Sequence, residues 1–280
     1  MMKSMTFLIT LLFITAIVVS ACSEQKPRKA SAADNVFVLD KIFEIPGLNR
    51  HRKIRIYLPP NYQASIQSYP VLYMHDGQNL FDDATSYAGE WGIDEALNQL
   101  HQSNGLSLIV VGIDNGEVKR MNELSPWPNQ DYGDAEGEAY MQFIIDVVKP
   151  FIDSNYRTLS DAKNTAIMGS SMGGLISHYA AFEYPSIFSK IGIFSPSYWF
   201  SDSVFVFSDI KKLTAESKLY MLMGGEEGDD MVENFKKMRL QLKSAGLTDE
   251  NLSASVVPAG EHNEAFWRSE FKRAILWLFQ

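Results

Sequence analysis

The sequence predicts an α/β domain with a mostly parallel central sheet, an N-terminal antiparallel hairpin and helices on both faces. Three observations carry that expectation. From Val71 onwards, short apolar runs alternate with segments of helical period; two stretches of alternating apolar and polar residues precede them; and one strand-to-helix junction carries Gly169-Ser170-Ser171-Met172-Gly173. Repeated strand–helix units imply parallel pairing, because a crossover helix returns the chain to the same end of the sheet.

The first 21 residues stand apart from this pattern. A lysine near the start, an almost wholly apolar run from Phe7 to Val19 and the small residues of Val19-Ser20-Ala21-Cys22 form a bacterial export signal with a lipobox cysteine. The run is shorter than the ~20 residues a membrane span needs. The expectation is cleavage after residue 21 and lipid attachment at Cys22, the single cysteine of the chain. A cell-envelope location on a lipid anchor follows, and no thiol is left for a disulfide, a metal site or a nucleophile. Residues 22–35 are polar and read as a tether; residues 36–280 form one domain. A hydrophobic fraction of 46% supplies a core, and a net charge of −9 repels phosphate backbones, which argues against nucleic acid as a partner.

Within the domain, Val36 to Ile45 and Lys53 to Leu58 alternate about Pro46-Gly47-Leu48-Asn49 and read as an edge hairpin. Val71 to Met74 is a short buried strand. Asp94 to His101 is helical, with Trp91 just before it, and Leu106 to Ile113 is the next strand. Asp114 to Glu136 is long and rich in Pro, Asn, Asp and Gly, as functional loops are; its Arg120 and Glu123 are expected to pair with each other or with solvent. Glu138 to Ile152 has helical spacing, followed by the strand Ala166 to Met168 and the helix Leu175 to Phe182. Ile191 to Phe194, Leu219 to Met223 and Ala254 to Val257 are strands. Helices are expected near Asp209 to Leu213, over Met231 to Leu242 and over Glu264 to Phe279.

The G-x-S-x-G pattern between strand and helix is that of a nucleophile elbow, and with the hairpin it specifies the α/β-hydrolase arrangement. Gly169 and Gly173 let the two segments pass closely and leave Ser171 at the tip of a strained turn. The first amide of the following helix, Met172 N–H, is placed to stabilise an oxyanion. In this arrangement the nucleophile precedes the acid and the acid precedes the histidine. Only His178 and His262 follow Ser171. His178 lies two turns along the elbow helix and reads as a packed side chain, which leaves His262 in the loop after the last strand as general base. The acid lies in Gly224-Gly225-Glu226-Glu227-Gly228-Asp229-Asp230. Local sequence leaves four carboxylates open there, with Glu226 and Glu227 closest to the strand end. The cluster lacks the spacing of a calcium loop, and neither metal nor cofactor is required by this chemistry.

Four segments, Val71-Leu-Tyr-Met-His-Asp-Gly-Gln-Asn-Leu-Phe81, Gly169-Ser-Ser-Met-Gly-Gly174, Phe194-Ser-Pro-Ser-Tyr-Trp199 and Glu261-His-Asn-Glu-Ala-Phe-Trp267, resemble the esterase family of α/β hydrolases that holds enterochelin and bacillibactin esterases, feruloyl and acetyl-xylan esterases and relatives of the mycolyltransferases. The similarity runs through almost all of the chain after residue 35. It implies a serine esterase acting through an acyl-enzyme, with the acid at Glu227 and Glu226 or Asp230 as alternates. It also implies that the second oxyanion amide is that of Gln78, with Gly77 beside it. Glutamate in place of the commoner aspartate is a departure that adds a methylene to the acid loop. His75 and Asp76 are expected to brace their loop, and Trp127, Tyr198 and Trp199 to shape the substrate pocket. An open cleft without a helical cap suits bulky esters, such as acyl groups on polysaccharide or a siderophore lactone. Two rivals remain at this stage: acyl transfer to a sugar alcohol, and a surface-binding lipoprotein that does no chemistry.

Overall fold

The computed structural model describes residues 28–280. The export segment and Cys22 lie outside the described residues. Among those described, no helix is long and apolar enough to cross a membrane.

The chain forms β1 (Val36–Val38), β2 (Phe43–Ile45), β3 (Arg50–Arg52), β4 (Ile54–Tyr57), β5 (Val71–His75), α1 (Ile93–Asn104), β6 (Ile109–Ile113), α2 (Arg120–Glu123), α3 (Gly137–Phe143) and α4 (Lys149–Asn155). It continues with β7 (Thr165–Ser170), α5 (Met172–Glu183), β8 (Lys190–Phe194), α6 (Ser203–Ile210), β9 (Lys218–Gly224), α7 (Asp229–Ser244), β10 (Leu252–Val257) and α8 (Glu264–Phe279). Eight strands make one sheet in the order β1-β4-β6-β5-β7-β8-β9-β10, and β2 and β3 pair in a separate ribbon. The pairs from β6 to β10 are parallel; β1–β4 and β4–β6 are antiparallel.

Helices cover both faces, so the central strands β5, β6 and β7 are buried along their whole length. This explains their continuous apolar runs, where a half-exposed strand would alternate. Side chains still divide by parity. Tyr73 and Ile167 face a core shared with α3 to α7, whereas Leu72, Met74, Ala166 and Met168 face one closed by α1 and α8. Asn263 caps α8, its side chain accepting from Phe266 N at 2.9 Å, and this fixes the start of the helix immediately after His262.

Three expectations change in detail. The run Val36 to Ile45 is two strands. β1 joins the main sheet against β4, while β2 turns at Gly47 and Asn49, both at positive φ, to pair with β3. Phe43 and Ile45 are thereby buried, with Phe43 edge-on to Phe151 at 5.0 Å. The helix expected near Asp209 begins earlier, at Ser203, because Val204 and Phe205 supply its buried face. Between α3 and α4 the helix widens into a π turn over Ile144–Val148, where Pro150 has no N–H to continue the regular ladder.

Nor is the last part of the tether a free linker. Ser31 N donates to Asp82 Oδ1 at 3.0 Å, Ala33 N to Asp94 Oδ2 at 2.7 Å and Asn35 Nδ2 to the Leu58 carbonyl at 2.7 Å. Asp94 is fully buried, and burial, with Glu95 beside it, pushes its carboxyl up to about 7. A raised carboxyl stabilises the fold while protonated, so its contribution is complete below the unfolded-state value near 3.8 and is lost as pH rises through about 7. Asp94→Asn keeps an oxygen for Ala33 N and removes the titration. The melting temperature of the variant relative to wild type should rise between about pH 4 and pH 7 and level off above; a pH-independent difference in thermal melts would contradict this.

Candidate active site

Ser171 sits between β7 and α5 at φ 59°, ψ −121°, a conformation that serine adopts only when its surroundings enforce it. Two constraints do so. Ser171 N donates to the Phe194 carbonyl at 2.9 Å, and Gly169 lies so close to Gly173 that a Cβ on Gly169 would stand 2.8 Å from the Gly173 carbonyl carbon. The strand and the helix can cross there only because Gly169 lacks a side chain; a Cβ on Gly173 would point instead at His75, 3.3 Å from its Cβ. Ser171 Oγ lies 3.2 Å from Ser197 Oγ and has no hydrogen bond to His262 in this resting arrangement.

His262 follows β10, and its Nδ1 is 2.7 Å from Glu227 Oε2. The Glu227 side chain is fully buried, while 35% of the His262 side chain remains exposed. Glu226, Asp229 and Asp230 are solvent-exposed. Glu227 Oε1 accepts from Gly224 N at 2.7 Å and from Ser195 Oγ at 2.6 Å, and Ser195 Oγ accepts in turn from Trp267 Nε1 at 2.9 Å. The ring of Trp267 stands edge-on to that of His262 at 5.1 Å.

Met172 is the first residue of α5, so its N–H has no acceptor within the helix. Gln78 lies in a single 3₁₀ turn after β5. Its side chain is tied to the loop after β6, Oε1 accepting from Asn115 N at 3.1 Å. His75 is buried, with Nδ1 2.8 Å from the Tyr140 hydroxyl, and burial pushes its imidazole down to about 4. Asp76 accepts from Arg120 Nε at 2.6 Å, from Arg120 Nη2 at 2.9 Å and from Asn115 Nδ2 at 2.6 Å. Burial alone would raise the Asp76 carboxyl; the Arg120 charge and these hydrogen bonds outweigh it and hold it below the usual range. The pairing expected between Arg120 and Glu123 is therefore absent. Arg120 binds Asp76, and the buried Glu123 is claimed by Arg50 and Arg52 from the β2–β3 ribbon.

These groups surround one cavity of about 690 Å³, lined by Ser171, His262, Gln78, Asp76 and Arg120 among others. Trp91 and Trp267, with ring centroids 5.6 Å apart, form apolar wall, and Tyr87 and Val118, 88% and 92% exposed, flank it. Glu264 also faces the cavity, its carboxyl raised by burial. Among the described residues, no group of three or more His, Cys, Asp or Glu is arranged to hold a metal ion.

Trp127, Tyr198 and Trp199 do not line this cavity. Trp127 packs edge-on against Tyr179 and Phe207, and Trp199 lies over Phe200 and Tyr132. Tyr198 is buried, with its hydroxyl 2.9 Å from His178 Nδ1. His178 is the packed side chain its position suggested. Its Nε2 meets Ser208 Oγ at 2.7 Å, and burial pushes the imidazole down to about 3, so it stays neutral. The first half of the Asp114–Glu136 loop overhangs the cavity, through Asn115, Glu117, Val118 and Arg120, and the second half packs elsewhere. Sequence reasoning passed over Ser195, Ser197 and Trp267, although all three lie in segments that carried the resemblance and both serines follow a strand's carboxyl end, where sites on such sheets form.

A family model described as "Putative esterase" matches residues 45–278. The chain belongs to this esterase family. The esterase is 29% identical over 245 residues to the uncharacterized protein YbbA of Bacillus subtilis, covering 82% of this chain and 93% of YbbA. It is 25% identical over 229 residues to an endo-1,4-beta-xylanase/feruloyl esterase of Xylanibacter ruminicola, covering 80% of this chain and 29% of that protein. Among solved structures, it superposes on the enterobactin esterase FES of Shigella flexneri, crystallised in the presence of enterobactin, with a TM-score of 0.72 and 18% identity over 89% of this chain and 60% of that one. At that identity the likeness is one of fold. The protein is thus an esterase of the serine-hydrolase type on an α/β-hydrolase fold.

Because the elbow closes only through the Gly169–Gly173 contact, Gly169→Ala should cost roughly 1–3 kcal/mol of stability and most of the esterase activity. Chemical denaturation and ester turnover measure the two; an active variant of wild-type stability would show that the crossing is looser than described.

Proposed function

We propose that the esterase acts through Ser171 as nucleophile, His262 as general base and Glu227 as the acid that orients it. One observation carries the assignment: of the carboxylates after β9, Glu227 is the one bonded to an imidazole, at 2.7 Å, and that imidazole lines the same cavity as Ser171. An ionised carboxylate is an acceptor only, so it holds the His262 proton on Nδ1 and leaves Nε2 free to take one. When an ester occupies the cavity, the Ser171 side chain exchanges its contact with Ser197 for one with Nε2, since such bonds commonly tighten only in the substrate complex. Ser171 Oγ then attacks the carbonyl carbon while its proton passes to Nε2. The amides of Met172 and Gln78 hold the resulting oxyanion, and collapse breaks the bond to the alcohol, which leaves with the proton from Nε2. Water repeats the sequence on the acyl-enzyme and releases the acid.

The substrate reading rests on the cavity walls. Trp91 and Trp267, though mostly buried, add apolar wall to the cavity that holds Ser171, the exposed Tyr87 and Val118 flank it, and no cap domain covers the site among the described residues, so a bulky ester with an apolar or aromatic group fits. Feruloylated or otherwise acylated polysaccharide and siderophore lactones are the classes we infer, in line with the activities named for the Xylanibacter and Shigella proteins. Lipid attachment at Cys22 would hold the domain at the cell envelope, a reading supported by the first 21 residues alone.

Ser171→Ala should lower kcat at least ~10³-fold on an ester panel that includes acetylated xylan, feruloylated sugar and a catecholate lactone. Glu227→Gln should lose far more activity than Asp230→Asn. Equal turnover by wild type and Ser171→Ala would rule out the mechanism, and the reverse ranking of the two carboxylates would move the acid.

A further inference from the structure

Glu227 is held from two sides, and the second is a side-chain chain with a fixed direction. Indole Nε1 is a donor and has no lone pair to offer, so the 2.9 Å contact between Trp267 Nε1 and Ser195 Oγ occupies an acceptor site of the hydroxyl. The Ser195 proton is then committed to Glu227 Oε1, 2.6 Å away. Gly224 N donates to the same oxygen at 2.7 Å, so Oε1 carries two donors and Oε2 is left to His262 Nδ1. Ser195 has no solvent exposure and stands at φ 44°, a left-handed conformation that serine rarely adopts. Its amide donates to the Leu222 carbonyl of β9 at 2.7 Å, which fixes the hydroxyl beside the acid loop.

We propose that Ser195, backed by Trp267, is a positioning residue of the esterase: a one-way hydrogen-bond relay from indole to hydroxyl to Glu227 that fixes the rotamer of the acid and, through it, the tautomer of His262. Every link points toward the carboxylate, and a carboxyl proton on Oε1 would meet two donors already in place. Trp267 also packs directly against the imidazole, the two rings near perpendicular at 5.1 Å. One side chain therefore bounds His262 and orients the group that orients it. The proposal rests on the assignment of Glu227 as the acid.

The test is a double-mutant cycle on kcat and KM for one ester. Ser195→Ala should lower kcat roughly 10- to 100-fold, the worth of a hydrogen bond to a charged group, with KM within about twofold. Ser195→Gly relaxes the left-handed backbone. It should lose as much as Ser195→Ala if the hydroxyl matters, and should match wild type if the residue serves only the turn. Trp267→Phe keeps a ring against His262 and removes the N–H, and should give a smaller loss of the same kind. On a Glu227→Gln background the Ser195→Ala loss should shrink to less than about threefold, because a residue acting through Glu227 has nothing left to position. The low-field proton resonance of His262 Nδ1–H should shift or broaden in Ser195→Ala. Full activity in Ser195→Gly, or an undiminished Ser195 effect on the Glu227→Gln background, would overturn the relay while leaving the acid in place. Wild-type kcat in Glu227→Gln itself would overturn the acid, and the relay with it.

Discussion

The positive φ at Ser171 is the constraint on which the site depends. An L-residue does not occupy that region unless neighbours repay the strain, and here the neighbours are also the parts of the site. The Phe194 carbonyl at the end of β8 receives Ser171 N, and Ser197, three residues later, returns its own amide to the Ser171 carbonyl at 3.1 Å. The segment that stabilises the elbow therefore also carries Ser195 to Glu227 and Ser197 to Ser171. The crossing of Gly169 and Gly173 starts α5 immediately after the nucleophile, which puts an uncommitted helix amide beside it. Strain, close packing and a helix amide left without a partner are three consequences of one turn.

A second constraint is electrostatic. The loop that presents Gln78 begins at Asp76, itself at φ 56°, beside a buried neutral histidine. A carboxylate buried there without a partner would cost several kcal/mol, so its bidentate pairing with Arg120 is a condition of the loop's shape. Arg120 reaches it from the overhanging loop after β6 and so joins the two loops that face each other across the cavity. Glu123, three residues on, is tied to Arg50 and Arg52. The β2–β3 ribbon, which does not itself line the cavity, thus helps to fix one side of it through α2.

Much of this was legible in the sequence, and the rest was hidden for identifiable reasons. The parallel core strands were visible because burial on both faces leaves continuous apolar runs, and α8 because Asn263 caps it where the periodicity begins. Order along the chain singled out Ser171 and His262, and the structure brings both to one cavity. The choice among Glu226, Glu227 and Asp230 was invisible locally, since it depends on which side chain points inward from a turn. The aromatics expected at the pocket lie elsewhere because composition cannot tell a side chain packed edge-on against its own loop, as Trp199 is against Phe200, from one lining a cavity, as Trp91 does. Ser195 was hidden because a hydroxyl's role lies in its partners, and both of these, Glu227 and Trp267, are distant in sequence.

The glutamate at position 227 stands where two loops meet, and the backbone around it shows how close they lie. A Cβ on Gly224 would stand 2.3 Å from the Gly260 carbonyl oxygen, and one on Gly225 would stand 2.5 Å from that of Pro258. The acid loop and the histidine loop are thus pressed backbone to backbone, joined by Gly225 N to the Val257 carbonyl at 2.8 Å and Glu226 N to the Gly260 carbonyl at 2.9 Å. Glu227 bonds to both loops at once, Oε1 accepting from Gly224 N in its own turn and Oε2 reaching His262 Nδ1 across the contact. Two glycines let the loops meet, and one buried carboxylate ties them together where they come closest, so the position of His262 depends on the turn after β9 as much as on its own loop.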